Sequence, residues 1–198
     1  RNSKDEIVFP LDVQLRRRLF TNPVPHPSHN NLYLYEAIVE YLCKPGDVVI
    51  DPMAGAGTVM WVAKQGVRVF AIELGPYYVE LLRKNRTAFE GEIIIMGPVD
   101  CRDQLPKFGG KADLIVFSPP YADQIKAKSA KGFFSKGEYG IGTGSVEDVF
   151  RHFNYESKGN LGRMKQFEFD QAMNEVYTAC GKANKLGGYL VVIIKDRI

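Results

Sequence analysis

The sequence predicts a doubly wound α/β fold built on a mostly parallel sheet. Three observations carry that expectation. Short apolar runs rich in β-branched residues recur along the chain, helical patterns lie between them, and Gly, Pro or Asp marks most of the boundaries. Runs that are apolar throughout, rather than alternating, are those of strands covered on both faces.

The strands are expected at "DVVID" (47–51), "VRVFAIE" (67–73), "EIIIMG" (92–97), "ADLIVF" (112–117) and "GYLVVII" (188–194). The first helix is expected at "NLYLYEAIVEYL" (31–42), where apolar residues recur at spacings of three and four. "GTVMWVAKQG" (57–66) follows, closing on a glycine that stops a helix. "PYYVELLRKNRTAF" (76–89) opens on proline and places its basic residues late, in keeping with the helix dipole. "EFDQAMNEVYTACGKAN" (168–184) is the fourth. Strands alternating with helices imply right-handed crossovers.

At 198 residues the chain reads as one domain, 1–198, with 45% apolar and 25% charged residues and a net charge of +3. That charge permits a nucleic-acid partner without demanding one. Cys43, Cys101 and Cys180 are scattered without a CxxC pair, so neither a metal site nor a disulfide framework is expected, and a reducing cytoplasmic setting is the simplest account. The longest apolar runs are too short to cross a bilayer. No signal peptide is read, although the sequence opens on Arg1 rather than Met.

Residues 122–167 break the alternation. Eight Lys or Arg against five Asp or Glu give this stretch a local excess of three positive charges, interleaved with Phe133, Phe134, Tyr139, Phe150, Phe153 and Tyr155. An insertion of that length in a compact domain is functional or disordered.

Two stretches carry the chemistry. "VVIDPMAGAGTVMW" sets Asp51 at a strand end, then a turn in which Gly55 and Gly57 allow close backbone approach, then a helix whose first N–H groups favour an anion. Glu73 ends the next strand, where a carboxylate suits ribose hydroxyls, and Asp100 follows the third. A lone GxG turn as often only tightens a βα corner, and Glu73 alone would serve as a helix cap. The ordered set of strand, turn, helix, strand and acid points to a nucleoside-containing ligand. No Lys-Ser/Thr follows the glycines, so a P-loop is excluded. The second stretch is "ADLIVFSPPY" (112–121), in which two prolines without N–H groups end the strand in a rigid turn.

With both in view, the chain resembles the S-adenosylmethionine-dependent amino-methyltransferases that act on DNA, over roughly residues 26–198. Their Asp-Pro-Phe-x-Gly-x-Gly-Thr motif stands here as Asp51-Pro-Met-Ala-Gly-Ala-Gly-Thr58, and their (Asp/Asn/Ser)-Pro-Pro-(Tyr/Phe) motif as Ser118-Pro119-Pro120-Tyr121. "HPSHNNLYL" (26–34) is similar to their His-Pro-Thr-Gln-Lys-Pro-x-x-Leu segment, with Asn30 in place of the lysine, and "VDCRDQL" (99–105) to their Gly-Asp-Ala-Arg-x-Leu piece.

The resemblance implies a Rossmann-like methyltransferase sheet whose closing C-terminal hairpin is missing after "VVIIKDRI". It implies S-adenosylmethionine as cofactor, with Gly55 and Gly57 against it, Met53 lining its pocket, Glu73 on the ribose, Asp100 on the adenine, and Ser28 and Asn30 towards its carboxylate. It implies that Ser118 and the Pro119 carbonyl accept hydrogen bonds from an exocyclic amine, that Pro120 stiffens the turn, and that Tyr121 stacks on a base flipped from duplex DNA. Ser in the first catalytic position favours cytosine N4 over adenine N6. An RNA-base methyltransferase and a non-catalytic DNA-binding subunit are the further alternatives. The 122–167 insertion is the candidate DNA contact, while Arg16-Arg17-Arg18 reads either as a phosphate contact or as a solvated helix face. A homodimer or a restriction-system partner is compatible with all of this. Cytosine C5 chemistry would need a thiolate nucleophile, and no Pro-Cys pair occurs.

Overall fold

The computed structural model describes residues 7–20, 30–120 and 159–194. Five strands form one sheet in the order β3-β2-β1-β4-β5. They are β1 (Val48–Asp51), β2 (Arg68–Ile72), β3 (Glu92–Met96), β4 (Ala112–Phe117) and β5 (Asn184–Val192), and every neighbouring pair is parallel. From β1 the chain steps outward to β2 and β3, then returns to lay β4 against the other side of β1. The strand order therefore reverses between β1 and β4, and a crevice opens at their carboxyl ends.

Side-chain alternation assigns the two faces. Val49, Val69, Leu114 and Val116 point into one core, with Leu32, Tyr35 and Val39 of α2 (Leu32–Leu42) and Leu82 of α3 (Pro76–Asn85). Phe20, which follows α1 (Val13–Leu19), joins the same core and meets the Phe89 ring edge-on at 5.4 Å between centroids. Ile50, Ile72, Ile115 and Phe117 point to the opposite side. They pack there with Cys101 of the short α4 (Cys101–Gln104), Leu105, and Met173, Val176 and Cys180 of α5 (Gln166–Ala183). Ile50, Leu114, Ile115 and Phe117 have no exposed surface, and each such side chain contributes about 1.5–3 kcal/mol of burial.

All five expected strands are present, and the parallel doubly wound architecture with them. Local differences have local causes. The stretch after the glycine turn, Thr58–Gln65, winds as a 3-10 helix bounded by Gly57 and Gly66, both with positive φ. Its β-branched and aromatic residues are poor α-formers. The helix expected over 76–89 is α-helical only to Asn85, and Arg86–Ala88 tighten into a 3-10 turn before Phe89 becomes extended. β5 begins at Asn184, immediately after α5, and its ladder to β4 is irregular between Ala112 and Leu114. α5 starts at Gln166, inside the expected insertion, and a 3-10 turn at Leu161–Arg163 precedes it. Residues 122–158 of that insertion lie outside the described residues. No helix among the described residues is long and apolar enough to cross a membrane.

Gly91 leads the chain into β3 with φ +95°, and a Cβ there would run into the Ala63 carbonyl of the neighbouring 3-10 helix. Both the backbone angle and the close approach require glycine. Gly91→Ala is expected to cost about 1–3 kcal/mol, read as a lowered denaturation midpoint with an unchanged m-value in urea.

Candidate active site

β1 and β4 pair through Val49↔Leu114 and Ile50↔Ile115, so the turns that follow them leave the sheet side by side. One is the glycine turn, the other Ser118-Pro119-Pro120. Of the second turn's expected residues, these three are half-buried directly beyond the wholly buried Phe117, and Tyr121 lies outside the described residues. The last sheet bond at this end runs from the Ile193 N–H to the Phe117 carbonyl at 2.8 Å, and the prolines then supply no further donors.

The glycine turn is held from three sides. Gly55 and Gly57 have φ of +51° and +94°. A Cβ on Gly57 would sit 2.6 Å from Leu82 Cδ2, so the turn is pressed against α3 as well as being conformationally specialised. The Gly55 N–H donates to Glu73 Oε2 at 2.8 Å, and the Gly75 N–H to Oε1 at 2.7 Å. Glu73 thus binds the turn after β1 to the end of β2. The surrounding protein pushes its carboxyl upward in pKa, against the pull of the Gly75 and Gly55 N–H groups. A carboxylate offers about four lone-pair sites, so two accepted N–H groups leave capacity towards the crevice for hydroxyls.

Asp51 is 3% exposed. Its Oδ1 accepts the Met53 N–H at 2.9 Å and its Oδ2 the buried Tyr35 hydroxyl at 3.2 Å. Burial is the main force on this carboxyl and raises its pKa to about 7, with Glu73 adding repulsion and the two hydrogen bonds opposing. Met53, next along, is partly buried against the core on the Ile50 side. Asp100 caps the start of α4, accepting the Arg102 N–H at 2.9 Å, and its Oδ2 takes Arg102 Nη2 at 2.7 Å. Burial would lift this carboxyl, yet the Arg102 bonds outweigh it and hold the pKa below the ordinary value. Arg102 also reaches Glu175 of α5 at 2.7 Å. Asp100 is therefore committed to an ion pair.

Several groups at the site were not legible in the sequence. Arg16 was read as a phosphate contact or a solvated face, and the structure places it in neither role. Its Nε donates to Asp12 at 2.7 Å, and its Nη2 donates to Thr58 Oγ1 at 3.2 Å and to the Asn30 carbonyl. Arg17 and Arg18 are exposed. Asn30 itself is half-buried, its amide 3.5 Å from the Tyr35 hydroxyl, while Ser28 lies outside the described residues. Tyr35 was legible only as an apolar helix position. Cys43, Cys101 and Cys180 are free thiols that burial pushes up to about 11, about 12 and about 12, so none is poised as a thiolate nucleophile.

These features fit a nucleoside-bearing cofactor, namely two glycines at positive φ and a carboxylate with spare acceptor capacity at adjoining strand ends. Residues 8–84 match the family model described as DNA methylase. The type II methyltransferase M2.DpnII of Streptococcus pneumoniae is 38% identical over 64 residues, 32% of this chain and 24% of that protein. The release factor glutamine methyltransferase of Mycolicibacterium smegmatis is 30% identical over 115 residues, 57% of this chain and 39% of that protein. The chain thus spans well under half the length of these relatives. NSun6 from Pyrococcus horikoshii shares the fold at a TM-score of 0.53 and 17% identity, over 93% of this chain and 41% of that one.

The Asp51 shift has a consequence for stability. A carboxyl with a folded pKa of about 7 and an unfolded pKa near 4 holds its proton in the native state where the unfolded chain has lost it. The stabilisation is complete below about pH 4 and is lost as pH rises through about 7. Asp51→Asn is expected to flatten this part of the profile, so thermal midpoints at pH 5 and pH 8 will lie closer together in the variant than in the parent protein.

Proposed function

We propose, from the match of residues 8–84 to the family model described as DNA methylase, that the chain transfers a methyl group from S-adenosylmethionine to an exocyclic amine of a DNA base, cytosine N4 in the first place. The observation that carries the reading is the pairing of β1 with β4, which brings the glycine turn and Ser118-Pro119-Pro120 out of the sheet together at its switch point.

The cofactor supplies, when bound, a methyl group made electrophilic by a sulfonium. The chain does the rest by positioning. Gly55 and Gly57 would bring backbone close to the ligand, Met53 would line the pocket, and Glu73 would accept ribose hydroxyls on the lone pairs that Gly55 and Gly75 leave free. Asp100, its carboxylate held by Arg102, would border the adenine side, and Ser28 and Asn30 would serve the carboxylate end. An aromatic amine is a weak nucleophile because its lone pair is delocalised into the ring. Ser118 Oγ and the Pro119 carbonyl accept its hydrogens and favour a pyramidal nitrogen, while Pro120 keeps these acceptors in place before the amine arrives. Tyr121 stacks on the extruded base, and the basic, aromatic 122–167 stretch contacts the duplex. The nitrogen becomes a strongly acidic ammonium once alkylated, so no strong general base is required.

A second reading rests on the 115-residue match to the glutamine methyltransferase. A side-chain amide is also a planar nitrogen with a delocalised lone pair, and the same turn would serve it.

Transfer of labelled methyl groups to duplex DNA, with mass analysis of the nucleosides, tests the proposal. N4-methylcytosine is the expected product. N6-methyladenine would overturn the cytosine assignment, and label in protein glutamine but not in DNA would favour the second reading. Ser118→Ala is expected to lower kcat about 100-fold while calorimetry shows cofactor affinity within about twofold of the parent chain; an unchanged kcat removes Ser118 from the mechanism.

A further inference from the structure

The residues 10–16 reach across to the site through an unusual concentration of bonds. Asp12 Oδ2 accepts both Arg16 Nε at 2.7 Å and the Leu32 N–H at the start of α2 at 2.9 Å. Asn31 caps α2, its Oδ1 accepting the Tyr33 N–H at 2.8 Å, and its amide donates to the Pro10 carbonyl at 2.7 Å. Arg16 Nη2 is shared by the Asn30 carbonyl and the hydroxyl of Thr58, the last residue of the glycine motif. The Arg16 and Asp12 side chains retain only 13% and 12% of their exposure, and the guanidinium also lies 5.4 Å from the Phe20 ring.

We propose that Arg16 is a positioning residue for the cofactor pocket, locking Asn30 and the entry to α2 onto Thr58 at the far end of the glycine turn. The inference rests on the function proposed above. Only a planar guanidinium meets Asp12 with one nitrogen while another reaches both a carbonyl and a hydroxyl; an ammonium is a single point that cannot span them. A cation this enclosed has lost most of its water, and the three acceptors replace it. The Thr58 hydroxyl is thereby fixed as an acceptor from Arg16, which leaves its own proton free to turn towards a ligand. The Asn30 carbonyl is likewise fixed, and with it the path by which the chain passes the turn.

The test is calorimetric titration of S-adenosylmethionine into the parent chain, Arg16→Gln, Arg16→Lys, Thr58→Val and the double variant Arg16→Gln/Thr58→Val, with folding checked by thermal denaturation. Arg16→Gln is expected to weaken cofactor binding about tenfold or more while folded. In turnover it raises KM for the cofactor more than it lowers kcat, the reverse of Ser118→Ala. Arg16→Lys recovers part of the affinity. Thr58→Val weakens binding too, and the double variant loses less than the sum of the two single losses, because the two share one bond. Arg16→Gln that is folded and binds within twofold of the parent chain overturns the proposal, as does strict additivity of the two substitutions. Should Arg16→Gln fail to fold, unchanged affinity in Thr58→Val overturns it equally. Failure of the parent chain to bind the cofactor at all would instead sink the function on which this inference rests.

Discussion

The molecule turns on the carboxylate of Glu73. Each of its oxygens accepts a backbone N–H, one from Gly55 in the turn after β1 and one from Gly75 at the entry to α3. Parallel neighbours need no such tie to pair, since β1 and β2 are already in register from Val48↔Arg68 to Asp51↔Ala71. What the tie fixes is the shape of the chain beyond the ladder, where hydrogen bonding between strands has ended. With the turn held against β2, Gly57 is driven close to Leu82 and the following 3-10 helix is launched on the face shared with α2. One charged group thus orients three segments.

That arrangement places two carboxylates close enough for Glu73 to raise the cost of ionising Asp51. Asp51 meets it with hydrogen bonds from Met53 and Tyr35, and Glu73 meets its own burial with backbone donors alone. Asp100 answers the same problem differently, with a guanidinium at contact distance. The three acids at or beyond the ends of β1, β2 and β3 are therefore unlike in charge state. The first is close to half-protonated near neutral pH, and the third is firmly ionised.

The strands and both turns were legible because hydrophobic runs, glycines and prolines act through local backbone physics. Val49 and Ile50, or Leu114 and Ile115, declare a strand covered on both sides without reference to anything distant. The 3-10 winding of Thr58–Gln65 was not legible, because a period of three and a period of 3.6 diverge little over eight residues. Arg16 was hidden for a different reason. It sits in a run of three arginines, and nothing local distinguishes the one whose acceptors, Asn30 and Thr58, come from 14 and 42 residues away. Tyr35 carried an apolar signal that its ring satisfies, while its hydroxyl serves Asp51. Asp100 illustrates the converse, a residue whose position was legible but whose partner, two residues on, was not inferred.

The site straddles a pairing in the sheet that joins strands far apart along the chain. β1 ends at Asp51 and β4 does not begin until Ala112, yet only Val49↔Leu114 and Ile50↔Ile115 stitch them. Closing so wide a loop is entropically slow, and the reward arrives only when both strands are in place. The crevice between the two turns therefore takes shape only once β4 has closed onto β1, and a nascent chain holds no working site until residues 112–120 have emerged.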